Sequence, residues 1–246
     1  MPFVSFVVKN VFSQYKVNSL PYSMCGRFAL ALDTADLADA FPQFTFPAGV
    51  APRYNIAPTQ PILALPNDGK NRADFFLWGL IPSWAKDPSI GNRLINARAE
   101  TLTEKPSFRA AYQYRRCLIF TSGFYEWKTI PGQKAKGPFF IYLKDGRPFA
   151  FAGLWEIWNS PDGGQLLSCA IITTTSNAWM AELHPRMPVI LRPSDYAQWI
   201  SPAPLPTRGL LPLLQPFPAE EMTGYPVSTL VNNPASDLPE CIQSAT

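Results

Sequence analysis

The chain is poor in the residues that build metal sites. Its 246 residues include one histidine and four cysteines. Cys25, Cys117, Cys169 and Cys241 lie far apart and form no CxxC pair, so no structural zinc site, and no other metal or cofactor site, is expected. Cys117 and Cys169 sit inside apolar, strand-like runs and read as buried thiols of a reduced, cytoplasmic protein. A dominant charge is also missing. The 21 basic and 18 acidic side chains leave a net charge of +3, which does not announce a nucleic-acid binder but allows one whose positive charge is gathered in a groove. Internal repeats and low-complexity tracts are absent. Residues 1–23 lack acidic side chains, yet Lys9 and Lys16 interrupt the apolar stretches and no small-residue cleavage site stands out. That segment fits neither a signal peptide nor a membrane span, and it is read as an extension from a mis-assigned start upstream of Met24.

What is abundant is proline, 27 residues, roughly twice the usual share. It favours turns and edge segments over long helices. With 47% hydrophobic and 13% aromatic residues the chain can bury a sizeable core. Asp33 to Phe41 reads as a short helix, with Asp33 or Thr34 as its cap. Ile62 to Leu65 and Ala73 to Trp78 read as a hairpin about Asn67-Asp68-Gly69. Lys105 to Tyr112, Asn177 to Leu183 (capped by Asn177) and Ser194 to Ile200 read as helices. Arg116 to Lys128, Phe139 to Leu143, Pro148 to Trp158, Leu166 to Thr174, Met187 to Leu191 and Pro226 to Leu230 read as strands. The expected fold is a single α+β domain. Its core is a mostly antiparallel, barrel-like β-sheet with short flanking helices. The domain spans residues 24–233, and a loose tail spans 234–246.

The most informative residue is Cys25, in Met24-Cys25-Gly26-Arg27-Phe28. A chain that starts at Met24 and loses that methionine presents Cys25 with a free α-amine beside its thiol. Such a 1,2-aminothiol condenses with an aldehyde to a five-membered thiazolidine, which no internal cysteine can do. The amine has a reference pKa of roughly 8 and is partly neutral at pH 7. The thiol, at about 8.5, needs help to ionise, for which Arg27 is a candidate. Polar residues interrupt apolar runs elsewhere, in Arg53-Tyr54-Asn55, in Asn96-Ala97-Arg98-Ala99-Glu100-Thr101, at Glu126 in Gly123-Phe124-Tyr125-Glu126-Trp127 and in His184-Pro185-Arg186-Met187-Pro188. Strand alternation puts Glu126 on the face of Phe124 and Lys128, opposite Tyr125 and Trp127.

Together with Trp78-Gly79-Leu80-Ile81-Pro82-Ser83-Trp84 and the run around Cys25, these motifs, in this order from Met24 to about Asn233, resemble the SRAP family, the SOS-response-associated peptidases or abasic-site processing proteins. The resemblance implies that Cys25 attacks the ring-opened aldehyde of an abasic site in single-stranded DNA and cross-links the protein to it. It also implies a self-processing peptidase (hydrolase) activity that exposes Cys25, and leaves a lyase activity open. By motif match, Asn96, Glu126 and His184 join Cys25 as catalytic positions. Arg27, Arg53, Trp84, Arg98 and Arg186 match or adjoin positions that hold DNA. Glu126 is assigned the Schiff-base proton transfers and His184 the ring opening.

The partner so implied is single-stranded DNA with abasic sites, engaged without membrane or metal, by a protein taken as a monomer by default. Other readings stay open at this level. Cys25, His184 and Glu126 could serve a cysteine peptidase or amidase acting on proteins. The arginines and tryptophans could serve a non-enzymatic single-strand binding module. Residue by residue, Cys25 could be a buried structural thiol, His184 a helix-end residue, Glu126 an edge-strand surface residue and Trp84 core, and Arg186 could pair with a carboxylate. Trp78 is read as core.

Overall fold

The computed structural model describes residues 25–130, 132, 135–203 and 206–245. The expected extension, 1–23, and Met24 lie outside the described residues. In chain order the strands are β1 (Phe28–Leu30), β2 (Arg53–Ile56), β3 (Pro61–Pro66), β4 (Asp74–Trp78), β5 (Asn96–Arg98), β6 (Arg116–Thr121), β7 (Gly123–Lys128), β8 (Gly137–Leu143), β9 (Phe149–Asn159), β10 (Gln165–Thr175), β11 (Arg186–Pro188), β12 (Ile190–Leu191) and β13 (Met222–Pro226). The helices are short, as the proline content requires. The longest described is Thr34–Ala40, which starts where Asp33 accepts from the backbone N–H groups of Ala35 and Asp36 while Asp36 returns a bond to Asp33.

Strands β13, β8, β7, β1 and β2 form one antiparallel sheet in that order. In the second sheet β10 pairs with β4 on one side and β9 on the other. The strands β4, β3, β6, β9 and β10 therefore close on themselves into a barrel-like core. Pairing is antiparallel except where β10 runs parallel to β4 and to β5. The two sheets meet through aromatic edges. Phe28 and Phe124 of the first sheet lie 6.0 and 5.9 Å from Phe151 of the barrel, and Phe28 lies 5.1 Å from Trp78. The hairpin β3–β4 turns at Asn67-Asp68-Gly69, with Gly69 at a φ of 80° that favours glycine.

The expected strand Arg116 to Lys128 is two strands in different sheets. At the break, Ser122 Oγ accepts from Ala31 N at 3.0 Å and Ser122 N donates to Ala29 O at 2.8 Å. Gly123 follows because a Cβ there would come within 2.4 Å of the Phe140 ring. The break carries β7, and Glu126 with it, out of the barrel and beside β1. Smaller differences have local causes. The helix expected from Lys105 begins at Arg109, since tight turns fill 101–108 around Pro106. The expected helix Asn177 to Leu183 is a 3-10 turn, Met180–Glu182, with Asn177 Oδ1 accepting from Met180 N at 2.8 Å. Met187 to Leu191 is split at Val189, whose backbone bonds both Ile172 and Ala152. The last strand ends at Pro226, and Ser228 caps a 3-10 turn, Thr229–Asn232, in place of strand.

The tail expected to be loose is instead held against the open edge of β2. Asp237 accepts from the backbone N–H groups of Tyr54 and Asn55 at 2.6 and 2.8 Å and pairs with Arg53. Asn55 donates to the carbonyls of Asn233 and Ser236, and Cys241 is buried. Asp237→Ala leaves two backbone donors and a guanidinium without their acceptor, and is expected to lower unfolding stability by about 2 kcal/mol in urea titrations. An unchanged midpoint would mean that the tail is held by its apolar contacts alone.

Candidate functional site

Cys25 enters the site from the N-terminal end of β1. Its backbone nitrogen donates to Glu126 Oε1 at 2.8 Å in a buried contact. The register explains the meeting. Phe28 faces Phe124, and Tyr125 N donates to Arg27 O, so the next residues of the ladder are those around Cys25 and Glu126. Cys25 has a φ of 43°, the left-handed region that costs a non-glycine residue about 1–2 kcal/mol.

Glu126 is not the edge-strand surface residue that the sequence allowed. It is 4% exposed, on a strand flanked by β1 and β8. Alternation holds: Phe124 faces the main core, while Tyr125 packs with Phe140 in a separate cluster on the other face. Burial raises the Glu126 carboxyl to about 7, opposed by the hydrogen bonds from Cys25 and Trp127 and by the Lys136 ammonium. The Cys25 thiol is pushed well above its ordinary value by burial and by the Glu126 charge. This corrects the expectation that Arg27 helps the thiol ionise. The Arg27 guanidinium is buried and donates to Asn55 Oδ1 and to the Val231 carbonyl, each at 2.7 Å.

His184 follows the turn Met180–Glu182, and its backbone N–H bonds Met180 O at 2.9 Å. Its Nδ1 lies 3.2 Å from both the backbone nitrogen and the carbonyl oxygen of Arg186, so Nδ1 is the ring nitrogen tied to the backbone. Burial, then the Lys136 and Arg186 charges, hold His184 below its ordinary value against the opposing backbone hydrogen bond, which favours the neutral ring. Lys136 thus acts on both Glu126 and His184. Lys128 Nζ, two residues beyond Glu126, lies 3.9 Å from Glu182, two residues before His184. These contacts bring β7 and the His184 turn to one place.

Asn96 and Arg98 arrive on β5, paired in parallel with β10. A chain of contacts ties this strand to the cysteine end of β1: Phe28 packs on Trp78, and Trp78 Nε1 donates to the carbonyl of Ile95 at 3.0 Å. The approach is close because Gly79 and Gly91 touch backbone to backbone. A Cβ on Gly79 would lie 2.6 Å from Gly91 O, and Gly79 has a φ of 139°. Across β10, Thr173 faces Arg98 on one side and Pro188 on the other, and Thr175 faces Arg186.

The residues expected to hold DNA divide into two groups. Trp84 is 59% exposed and Arg98 is exposed, so both are available to a ligand; Trp84 is not core, whereas Trp78 is. Arg53 is engaged by Asp237 and by Gln60 Oε1 at 2.7 Å, and with Arg27 it braces the framework behind β1 and β2. Arg186 pairs with a carboxylate, donating to both oxygens of Glu100 at 2.7 and 2.9 Å and to Thr173 O at 2.7 Å. Lys136 and Glu100 went unassigned from sequence. Glu100 lay in a motif run without a role, and nothing about Lys136 in a hairpin loop marks it. Among the described residues no His, Cys, Asp and Glu cluster could hold a metal ion, and no helix is long and apolar enough to cross a membrane.

The raised carboxyl has a consequence for stability. Glu126 goes from 4.5 to about 7 on folding, so the folded state carries no penalty below the unfolded value. The penalty grows as pH rises between the two values and is complete above about 7, where it reaches about 3 kcal/mol. Glu126→Gln keeps an oxygen to accept from Cys25. It is expected to melt above the parent at pH 8 and level with it near pH 4, in thermal scans at both pH values. A constant difference would mean that Glu126 titrates normally.

Residues 24–234 match the family model described as SOS response associated peptidase (SRAP). The chain is 48% identical over 224 residues to the abasic site processing protein YoqW of Bacillus subtilis, covering 90% of this chain and 100% of that protein. It is 32% identical to the abasic site processing protein HMCES of Rattus norvegicus, covering 90% of this chain and 76% of that one. A crystal structure of a Bacteroides thetaiotaomicron protein superposes with a TM-score of 0.81 at 26% identity, over 90% of this chain and 100% of that chain. The chain therefore belongs to the SRAP family.

Proposed function

We propose that this protein captures abasic sites in single-stranded DNA by condensing their aldehyde with the aminothiol of a terminal Cys25. The observation that carries the reading is the buried 2.8 Å contact between the Cys25 nitrogen and Glu126. The relatives' names, abasic site processing proteins, support the substrate. Removal of everything before Cys25, a self-processing step, turns that nitrogen into an amine already aimed at a proton-transfer group.

The chemistry follows from the charges. The amine adds to the aldehyde carbon, giving a carbinolamine. Glu126, which burial pushes toward its neutral form, protonates the departing hydroxyl, and water leaves as the Schiff base forms. The thiol stays protonated until then, since burial and Glu126 both oppose the thiolate. Once the iminium carries positive charge, the Glu126 carboxylate takes the thiol proton and sulfur closes the thiazolidine. One C–N and one C–S bond form, the C=O bond is lost as water, and nothing is oxidised. Neutral His184, through Nε2, serves the sugar hydroxyl when the ring opens, and Asn96 holds the sugar. Arg98 takes a phosphate and Trp84 offers its exposed face for stacking, while Arg186 stays paired with Glu100. A thiol held protonated beside a carboxylate argues against a cysteine peptidase acting on other proteins, which needs a thiolate in its ground state.

Protein beginning at Cys25, confirmed by mass, should form a denaturation-resistant adduct with single-stranded DNA carrying one abasic site. Cys25→Ala should leave only an imine that borohydride traps and heat reverses. Correctly processed protein that forms no adduct overturns the reading, as does cross-linking by protein that keeps residues 1–24. The cross-linking rate should rise with pH as the amine deprotonates and fall again at higher pH as Glu126 loses its proton. Glu126→Gln should lose the alkaline fall and react about 10²- to 10⁴-fold more slowly in single-turnover gels. A rate that climbs steadily through pH 9 would remove Glu126 from the acid role.

A further inference from the structure

Glu100 makes a two-pronged contact and has no place in the chemistry above. It sits in the 3-10 turn Ala99–Thr101, directly after β5, and its two oxygens accept from Nη1 and Nη2 of Arg186 at 2.7 and 2.9 Å. Nη2 of Arg186 also donates to the carbonyl oxygen of Thr173 at 2.7 Å. The third guanidinium nitrogen, Nε, is buried and meets no hydrogen-bond partner among the described residues. Both terminal nitrogens are engaged and the third is closed off, which is the geometry of a brace. The hydrogen bond from Arg186 holds the Glu100 carboxyl below its ordinary value, so the brace is charged on both sides in neutral solution.

What the brace steadies is the ring of His184. Ser176 N bonds Pro185 O and Val189 N bonds Ile172 O, so the bonded pairs of the β10–β11 ladder alternate through Thr174 and Met187. Thr175 and Arg186 then form a non-bonded pair, and the amide and carbonyl of Arg186 point away from β10. Both lie 3.2 Å from Nδ1 of His184. The amide suits a ring whose Nδ1 is bare, and the carbonyl suits a ring whose Nδ1 carries a proton. The imidazole can therefore change its protonation without losing its partner. Strand β11 itself has few bonds to β10. Pro188 has no N–H and the N–H of Arg186 is turned to the ring, so of its three residues only Met187 can donate to β10. The Arg186 side chain supplies the missing tether. It crosses β10 to Thr173 and reaches Glu100, which follows the strand on the far side.

We propose that Glu100 is a positioning residue for His184: its carboxylate clamps the Arg186 guanidinium, the clamp pins the start of β11, and the Arg186 backbone then fixes the imidazole by Nδ1. This role rests on the reading of His184 as the group that serves the ring opening. Glu100 touches no reacting atom and acts only through Arg186. A carboxylate that influences Arg98 works against an approaching phosphate, and its service to His184 is a reason for it to be there.

His184 is the chain's only histidine, so its ring gives the only imidazole signals in an NMR titration of untagged protein. The charges near the ring are Lys136 and Arg186, with Glu182 and its partner Lys128 on the turn before it. Burial is the largest influence that holds the ring below its ordinary value. In Glu100→Ala a ring released from its seat should titrate closer to the ordinary imidazole value. An Arg186 charge left uncompensated beside a ring still in place would instead move the midpoint further down. A midpoint that rises sustains the role, and one that stays or falls overturns it. The kinetic arm times cross-linking at saturating abasic single-stranded DNA, with protein that begins at Cys25. Glu100→Ala should be about tenfold slower than the parent, and should slow His184→Ala no further when the two are combined. No slowing, equal slowing in both backgrounds, or slowing that vanishes at saturation overturns the proposal. Equal slowing is a general loss of structure, and slowing that vanishes is a loss of DNA affinity. Glu100→Gln, which keeps the size but offers the guanidinium one oxygen, takes the place of Glu100→Ala in both arms if the latter melts early. If the parent forms no adduct, the covalent reading fails and the titration alone decides the role of Glu100. The titration also decides where His184→Ala leaves too little adduct to time.

Discussion

A buried carboxylate held against the nitrogen of Cys25 is the constraint around which the rest is arranged. An acid at 4% exposure is costly unless it is neutral or well partnered. Here it has two backbone donors and a nearby ammonium, and its carboxyl still rises to about 7. A group so placed titrates where a proton-transfer catalyst must. The same burial keeps the thiol protonated. In the proposed capture of an aldehyde, one desolvated environment therefore sets the order: nitrogen first, sulfur second.

Holding that carboxylate in place requires two sheets. Glu126 sits on β7, which can reach Cys25 only because the chain leaves the barrel at Ser122 and joins β1. The opposite wall, Asn96 and Arg98, rides on β10 of the barrel. The Phe28, Trp78 and Phe151 contacts fasten the walls to each other, and the Gly79–Gly91 approach lets the 95–98 segment lie close behind Trp78. Arg27 and Arg53, far from reaching outward, tie β1 and β2 to the C-terminal segment. Cations that look like ligand contacts in a motif are here part of the frame that keeps Cys25 at Glu126.

Much of the architecture was legible because its signals are local. The capped helix after Asp33, the hairpin at Asn67-Asp68-Gly69 and the long strands β9 and β10 depend on turn residues and alternation. Local signals fail where neighbours decide. The run from Arg116 to Lys128 is uniformly strand-like, and only the bonds of Ser122 to β1 and the lack of room at Gly123 divide it. The segment after Asn233 has the composition of a loose tail, yet Asp237 finds two backbone donors on a strand far away in sequence. The candidate site followed the same rule. Cys25, Asn96, Glu126 and His184 stand out as polar residues inside apolar motifs. Lys136 has no such setting, and its bearing on both Glu126 and His184 is visible only in space.

The sequence by itself determined the family and the mostly antiparallel α+β fold, and it singled out Cys25 as the candidate reactive residue. Each is written in residue types and short spacings. Tertiary structure alone decided the charge states and the division of labour. Desolvation, which raises Glu126 and suppresses the Cys25 thiolate, is a property of surroundings contributed by distant strands. Whether an arginine faces a ligand or a carbonyl is set by its distant neighbours, which is why Arg98 is open while Arg27 is enclosed.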